Sequence, residues 1–370
     1  MIYFDNAATT PVCDVSAKAM LDAVTNVWGN PSSTHSSGRK SKAMMEQARR
    51  VFAKDLNAAP SEIMFTSGAT ESIMLGMYSA CMEGVSQIIT AASEHKAVLD
   101  ISKQLSNQFS IPSRVIGVDS NGNVSLDELE ELLKDSTGKT LIAIMYVNNE
   151  TGVVHPVEAI GSLAKSYDAL FFCDCVQAGL YHTIDPKAQG IDYLSLSAHK
   201  LYGPKGSGLL YIDKKRDKYA FWAGGSQERG HRPGTENLPG ILGFAAAWQA
   251  SQDNKMNYFS HIETLNKELK SKLRSRLPDV SFNGNDTSPH ICNVTIPTTK
   301  TPAAVLLQLD ISGISLSAGS ACQSGSHSRS HVLEAMNLPN NGVDLRISLG
   351  RQNTIGEINQ LIDVLGAVLS

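Results

Sequence analysis

Between about residue 14 and residue 250 the chain alternates short apolar runs with longer segments whose apolar residues return every three to four positions. Residues 62–66, 87–90, 141–147, 169–175, 192–197 and 208–212 are short and apolar and predict strands. Residues 41–56, 72–80, 126–134 and 157–166 carry the longer period, with charges on one side, and predict helices. Strands that are apolar throughout must be covered on both faces. The order therefore predicts an α/β fold, a mainly parallel central sheet flanked by helices. A polar stretch at 251–257 precedes a long charged helix near 259–277. Beyond it come strands at 290–296 and 343–349 and helices at 303–309 and 355–369. This predicts a large domain over residues 14–255 and a smaller α+β domain made of residues 1–13 and 256–370.

Composition narrows the partners. The 370 residues are 42% hydrophobic and 18% charged, an ordinary globular balance. A net charge of −4, from 32 basic and 36 acidic residues, gives no reason to expect nucleic acid or an anionic membrane as partner. Apolar runs are too short for a transmembrane helix, and Met1-Ile-Tyr-Phe-Asp5 lacks the order of a signal peptide. The six cysteines (13, 81, 173, 175, 292 and 322) form no CxxC. They predict reduced thiols, a cytoplasmic location and no metal site. Cys173 and Cys175 share one face of a predicted strand, opposite Asp174, and suit core packing.

Sheets of this kind bind ligands beyond the carboxyl ends of their strands. Asp174 stands at one such end, and Lys200 follows another in Ser195-Leu-Ser-Ala-His-Lys-Leu-Tyr-Gly-Pro-Lys-Gly206. A lysine for a Schiff base and an acid for a pyridinium nitrogen are the two groups a pyridoxal phosphate enzyme requires. Thr66-Ser-Gly-Ala-Thr-Glu71 follows a strand and opens a helix, where unpaired backbone N–H groups suit a phosphate. The alternative there is a Ser/Thr helix cap. Gln177 and Asn149 are candidates for the ring hydroxyl. His95 is a candidate for the ring face and for proton transfer, including that of a thiol, while a lone histidine, His199 included, also reads as structural. Cys322 lies in Ser315-Leu-Ser-Ala-Gly-Ser-Ala-Cys-Gln-Ser-Gly-Ser-His-Ser-Arg-Ser330, a stretch of small and polar residues. Such a thiol is placed to react, whereas Cys292, among apolar neighbours, is placed to pack. Arg346, in a predicted strand, can grip a carboxylate bidentately, with Arg351 as the alternative.

Further motifs stand between these: Tyr3-Phe-Asp-Asn-Ala-Ala-Thr-Thr-Pro11, Gly29-Asn-Pro-Ser-Ser33, Glu94-His-Lys96, Asn148-Asn-Glu-Thr-Gly152, Arg232-Pro-Gly-Thr235 and Gly319-Ser-Ala-Cys322. In this order the whole set resembles cysteine desulfurases of the NifS/IscS type, in the class V aminotransferase group of fold-type I pyridoxal phosphate enzymes. The resemblance implies that Lys200 carries the cofactor, His95 stacks on its ring and Asp174 holds the ring nitrogen. Asn149 and Gln177 would bind the ring hydroxyl, and Ala69, Thr70, Ser197 and His199 the phosphate. A homodimer is implied, with Thr235 reaching the phosphate of the other subunit. Asn30 and Arg346 would hold the carboxylate of L-cysteine, and Cys322 would take its sulfur as a persulfide. The sulfur would pass to an acceptor protein, an iron–sulfur cluster scaffold or a tRNA-thiolation enzyme. Two features depart from the family. Gln323 stands where Ser or Thr commonly follows the nucleophile, and Ser370 comes right after the last helix, where some members carry a scaffold-docking tail.

Overall fold

The computed structural model describes residues 1–319 and 329–369, so Cys322 and Gln323 lie outside the described residues. Among the described residues the strands are, in order, β1 (Ile2–Tyr3), β2 (Ile63–Thr66), β3 (Gln87–Ala91), β4 (Ser113–Ile116), β5 (Thr140–Ala143), β6 (Leu170–Asp174), β7 (Tyr193–Ser197), β8 (Gly208–Ile212), β9 (Ser281–Phe282), β10 (Ile291–Pro297), β11 (Ile314–Ser315) and β12 (Gly342–Ser348). Seven of them form one sheet in the order β2-β8-β7-β6-β5-β3-β4.

Neighbours from β4 to β7 run parallel, while β8 is antiparallel to both β7 and β2. The reason lies in the connections. A parallel return needs a crossover of a dozen or more residues, and only residues 198–207 separate β7 from β8. The sheet is buried on both faces, as continuous apolar strands require. Phe171 packs into the cluster under the helices Ser36–Asp55 and Leu238–Asp253, and Phe172 into the cluster under Ala69–Met82 and Lys96–Phe109. Cys173 and Cys175 are fully buried in the first of these clusters.

Some elements differ from the sequence pattern. The strand expected at 141–147 pairs with β3 only as far as Ala143, while Ile144 N and Tyr146 N go on bonding the β6 side, at Phe172 O and Asp174 O. The edge strand β4 buries only Ile116, so its pattern carried no strand signal. The long charged helix begins at Lys255, within the polar stretch taken as its approach.

After that helix, β12-β10-β9 form an antiparallel sheet and β1 pairs with β11 in parallel. The first residues of the chain are fastened there. Asp5 bridges to Ser348, and Ala7 N donates to Ser348 Oγ at 2.9 Å. Among the described residues no helix is long and apolar enough to cross a membrane.

Candidate functional site

Strand pairing brings the chemistry to one end of the large sheet. Asp174 on β6 sits in register with Ser195 on β7, and Lys200 ends the short turn Ala198–Lys200 that follows β7. Gly208 pairs with both Thr66 and Ser197, which draws the turn at Ser67 and Gly68 to the same end. A Cβ on Gly208 would stand 2.6 Å from Gly68 Cα, so this approach requires glycine. These turns, the fastened residues Ala7 and Ala8, and Arg346 from β12 enclose a cavity of about 510 Å³.

Of the residues singled out in the sequence, Ala69, Thr70, His95, Asn149, Asp174, Gln177, Ser197, His199, Lys200 and Arg346 line this cavity. Two do not. Thr235 is exposed and lines a separate recess of about 90 Å³ beside Thr66, Ser67 and Arg232. Asn30 is exposed, and its Oδ1 accepts from Ser32 N within its own turn. Arg351 is occupied elsewhere, its guanidinium 3.8 Å from the centre of the Tyr202 ring.

One end of the cavity suits an anion. The helix Ala69–Met82 starts from Gly68, which has no side chain to cap it. The hydroxyls of Thr66 and Ser72 bond each other at 2.8 Å, and Glu71 accepts from Ser67 N and pairs with Arg232 at 2.7 Å. The Ser/Thr cap is therefore not what the turn makes. First-turn N–H groups are left at the cavity wall, at the positive end of the helix. Lys205 and His199 line the same cavity.

The other end suits a protonated heterocycle. Asp174 Oδ1 accepts from Val176 N at 3.0 Å and Ser195 Oγ at 3.2 Å. Burial raises the Asp174 pKa, and His95 and Lys200 pull the other way. Asn149 Oδ1 is buried without a hydrogen-bond partner among the described residues, so it awaits a donor. Gln177 Nε2 donates to Ala7 O at 3.0 Å. Lys200 Nζ donates to Ala7 O at 2.5 Å and Ala8 O at 2.7 Å. An anion cradle, a buried acid, a strand-end lysine and an orphaned amide oxygen are, in kind, the groups that pyridoxal phosphate needs.

His95 carries a constraint that its sequence did not show. It caps the helix Lys96–Phe109, its Nδ1 accepting from Ala97 N at 3.1 Å. Burial lowers its pKa against the opposing pull of Asp174, so the ring is neutral with its proton on Nε2. In that state His95 can give a proton from Nε2 and cannot take one there. The expectation that it accepts a thiol proton does not fit this resting tautomer.

Arg346 is 1% exposed. Its Nη1 donates to Asn149 O at 2.9 Å and its Nη2 to Asp5 Oδ1 at 3.0 Å, while Nε has no partner among the described residues. Asp5 and the Ala7 and Ala8 carbonyls are site groups that sequence reasoning missed. Their motif was visible, but their contacts lie 341 and about 190 residues away.

The described flanks of residues 320–328 are tied to the rim of this cavity. Ser317 forms a backbone bridge with Arg346, its O accepting from Arg346 N at 2.7 Å. Ser330 Oγ donates to Glu150, next to Asn149, and His331 Nε2 bonds Glu94 O, next to His95, at 2.9 Å. Glu94 is fully buried, and burial raises its pKa well above the carboxylate range.

Comparison with known proteins agrees with this geometry. The cysteine desulfurase IscS of Methanosarcina thermophila is 40% identical, over 100% of this chain and 92% of its own length. A solved NifS-like protein superposes with a TM-score of 0.92 at 34% identity, covering 100% of this chain and 99% of that one. SspA, solved in complex with cysteine, superposes with a TM-score of 0.81 at 32% identity over 96% of this chain and 100% of its own. The Aminotransferase class-V pattern matches residues 2–361. The chain belongs to the class-V aminotransferase family.

Proposed function

We propose that this protein is a pyridoxal phosphate-dependent cysteine desulfurase, converting L-cysteine to L-alanine and passing the sulfur through Cys322 to an acceptor. The observation that carries the proposal is the attachment of both flanks of the Cys322 segment to the cavity rim, at Arg346, Glu150 and Glu94.

When bound, pyridoxal phosphate supplies an electron sink that makes the α-proton of an amino acid removable. The chain's own residues do the rest. Ala69, Thr70, Ser197 and His199 would hold the phosphate, and Asn149 and Gln177 the ring hydroxyl. Asp174 would keep a proton on the ring nitrogen, and His95 would cover the ring face. Lys200 Nζ would hold the cofactor and, once released by the substrate amine, take the α-proton. Arg346, which lines the cavity, would fix the substrate carboxylate. Cys322 Sγ, as thiolate, attacks the substrate sulfur. The new S–S bond forms as the C–S bond breaks and the electron pair stays with carbon; that carbon takes a proton, the α-carbon regains one, and alanine leaves. Substrate groups, rather than resting His95, would receive the thiol proton.

The reading includes a homodimer in which the partner's Thr235 meets the phosphate. The exposure of Thr235 supports it, as do Leu21 and Val24 on the helix Asp14–Asn26 and Trp28 just past its end, which are 65%, 61% and 76% exposed. It also includes a cytoplasmic location, a domain division near residue 255 and an iron–sulfur scaffold or tRNA-thiolation enzyme as acceptor. The test is turnover of L-cysteine by the purified protein. Equal amounts of alanine and sulfide under reductant, lost in Cys322→Ala, are expected. Amino transfer to a keto acid, or selenocysteine turnover that ignores Cys322, would replace the proposal.

A further inference from the structure

A chain of side-chain hydrogen bonds leaves the cavity through Gln177 and ends at His182, joining residues that sequence reasoning did not connect. Gln177 Oε1 meets His290 Nε2 at 3.2 Å, His290 Nδ1 meets Ser288 Oγ at 2.8 Å, and Ser288 Oγ meets His182 Nε2 at 2.8 Å. One carbonyl fixes the direction of every bond. Ala7 O can only accept, so the Gln177 amide must turn its nitrogen to it, and Oε1 must face His290. His290 therefore carries its proton on Nε2, leaving Nδ1 to accept from the Ser288 hydroxyl. Ser288 in turn accepts from His182 Nε2–H.

Each link is buried or nearly so. His290 is 4% exposed, Ser288 1% and Gln177 7%. Burial, with smaller effects from His182 and Arg346, pushes the His290 pKa down to about 3, consistent with a neutral ring and a single N–H. Tyr181 holds the imidazole plane, with ring centres 4.6 Å apart and planes at 30°. His290 stands immediately before β10 and His182 lies between β6 and β7, so the chain also bonds the small antiparallel sheet to the large one.

We propose that His290 is a positioning residue for the cofactor site: its Nε2–H locks the Gln177 amide so that one amide N–H binds Ala7 O and the other is offered to the cavity. This rests on the proposed function, because Gln177 is there assigned to the ring hydroxyl. Ala7 O still forbids a full flip, but without the His290 donor the amide keeps only that one anchor and can rotate away from the plane in which its second N–H is offered to the cavity.

The test uses the purified full chain loaded with pyridoxal phosphate, reading the position of its visible band and the dissociation constant of the cofactor. His290→Phe keeps a ring against Tyr181 and removes the donor. It should shift the band and raise the dissociation constant by about fivefold, the scale of one hydrogen bond. His290→Gln, whose amide nitrogen can replace Nε2, should restore both values. In a Gln177→Ala background His290→Phe should add nothing. Ser288→Ala, a milder break one bond further out, should shift the band in the same direction as His290→Phe.

Should His290→Phe fail to fold, the Gln and Ser288 variants decide alone. A parental band in Ser288→Ala, or equal effects of the His290 changes with and without Gln177, would overturn the proposal. A parent protein that takes up no cofactor would instead overturn the functional reading beneath it.

Discussion

Arg346 offers the sharpest prediction about substrate binding. Its guanidinium is held by Asn149 O and Asp5, and its buried Nε stands without a partner among the described residues. Arg346 lines the cavity, so a carboxylate arriving there meets a guanidinium already fixed in place. Arg346→Lys keeps one positive charge for Asp5 but has no fork. It cannot bond Asn149 O, Asp5 and a substrate carboxylate together. The loss is about one charge-assisted hydrogen bond, roughly 1.5–3 kcal/mol, or on the order of 10–150-fold in affinity. Since the carboxylate does not change during C–S cleavage, the bond is made equally in ground and transition states. The loss should therefore appear in KM and leave kcat nearly unchanged. The assay is alanine formation across L-cysteine concentrations. Arg346→Gln should be worse, because it also strips Asp5 of its cation. An unchanged KM in both variants, or a loss confined to kcat, would refute the carboxylate assignment.

Three other outcomes follow from the same contacts. Asp174→Asn keeps an oxygen for Val176 N and Ser195 but loses the charge. Alanine formation should fall on the order of 100-fold with cofactor still bound, and parental turnover would contradict its role at the ring nitrogen. His155 is 1% exposed, neither ring nitrogen has a partner among the described residues, and burial pushes its pKa down to about 4. Between pH 6.5 and 4 the unfolded chain then binds a proton that the folded chain refuses. Stability present above pH 6.5 should fall with acidification, by roughly 3 kcal/mol from this group. His182, His199 and His290 are depressed in the same way, so His155→Phe should lessen the fall of the urea midpoint across that window by its own share, and an equal drop in the variant would contradict it. Arg49 and Glu228 form a buried bidentate pair at 2.7 and 2.9 Å, with Glu228 also accepting from Phe65 N. Arg49→Met leaves that carboxylate without its cation and should destabilise by roughly 3–5 kcal/mol in urea unfolding, where a midpoint equal to the parent's would show the pair to be inert.

The parts of the site legible in the sequence were those encoded locally. Asp174 ends one short apolar strand and Lys200 follows another, and a residue at such a strand end can be placed without knowing what it touches. Thr66 to Glu71 was legible as a strand-to-helix turn, although the sequence left open whether a hydroxyl caps it. Gly68, at the N-cap position, resolves that choice. What escaped notice depends on distant partners. Asp5 matters because Arg346 comes back to it 341 residues later, and Ala7 and Ala8 matter because Lys200 bonds their carbonyls. His290 looked like the start of a strand, and nothing in its neighbourhood pointed to Gln177, 113 residues earlier. The antiparallel β8 was open to inference from the short connection before it, which a chain of apolar strands made easy to overlook.

The central claim is that Lys200 holds pyridoxal phosphate in the cavity between Asp174 and the turn at Gly68. Borohydride reduction of the purified protein, followed by digestion and mass spectrometry, tests it most directly. A cofactor mass on the peptide containing Lys200, absent from Lys200→Ala, is the predicted result. Labelling of another lysine, or no labelling in a protein that still turns over L-cysteine, would contradict it.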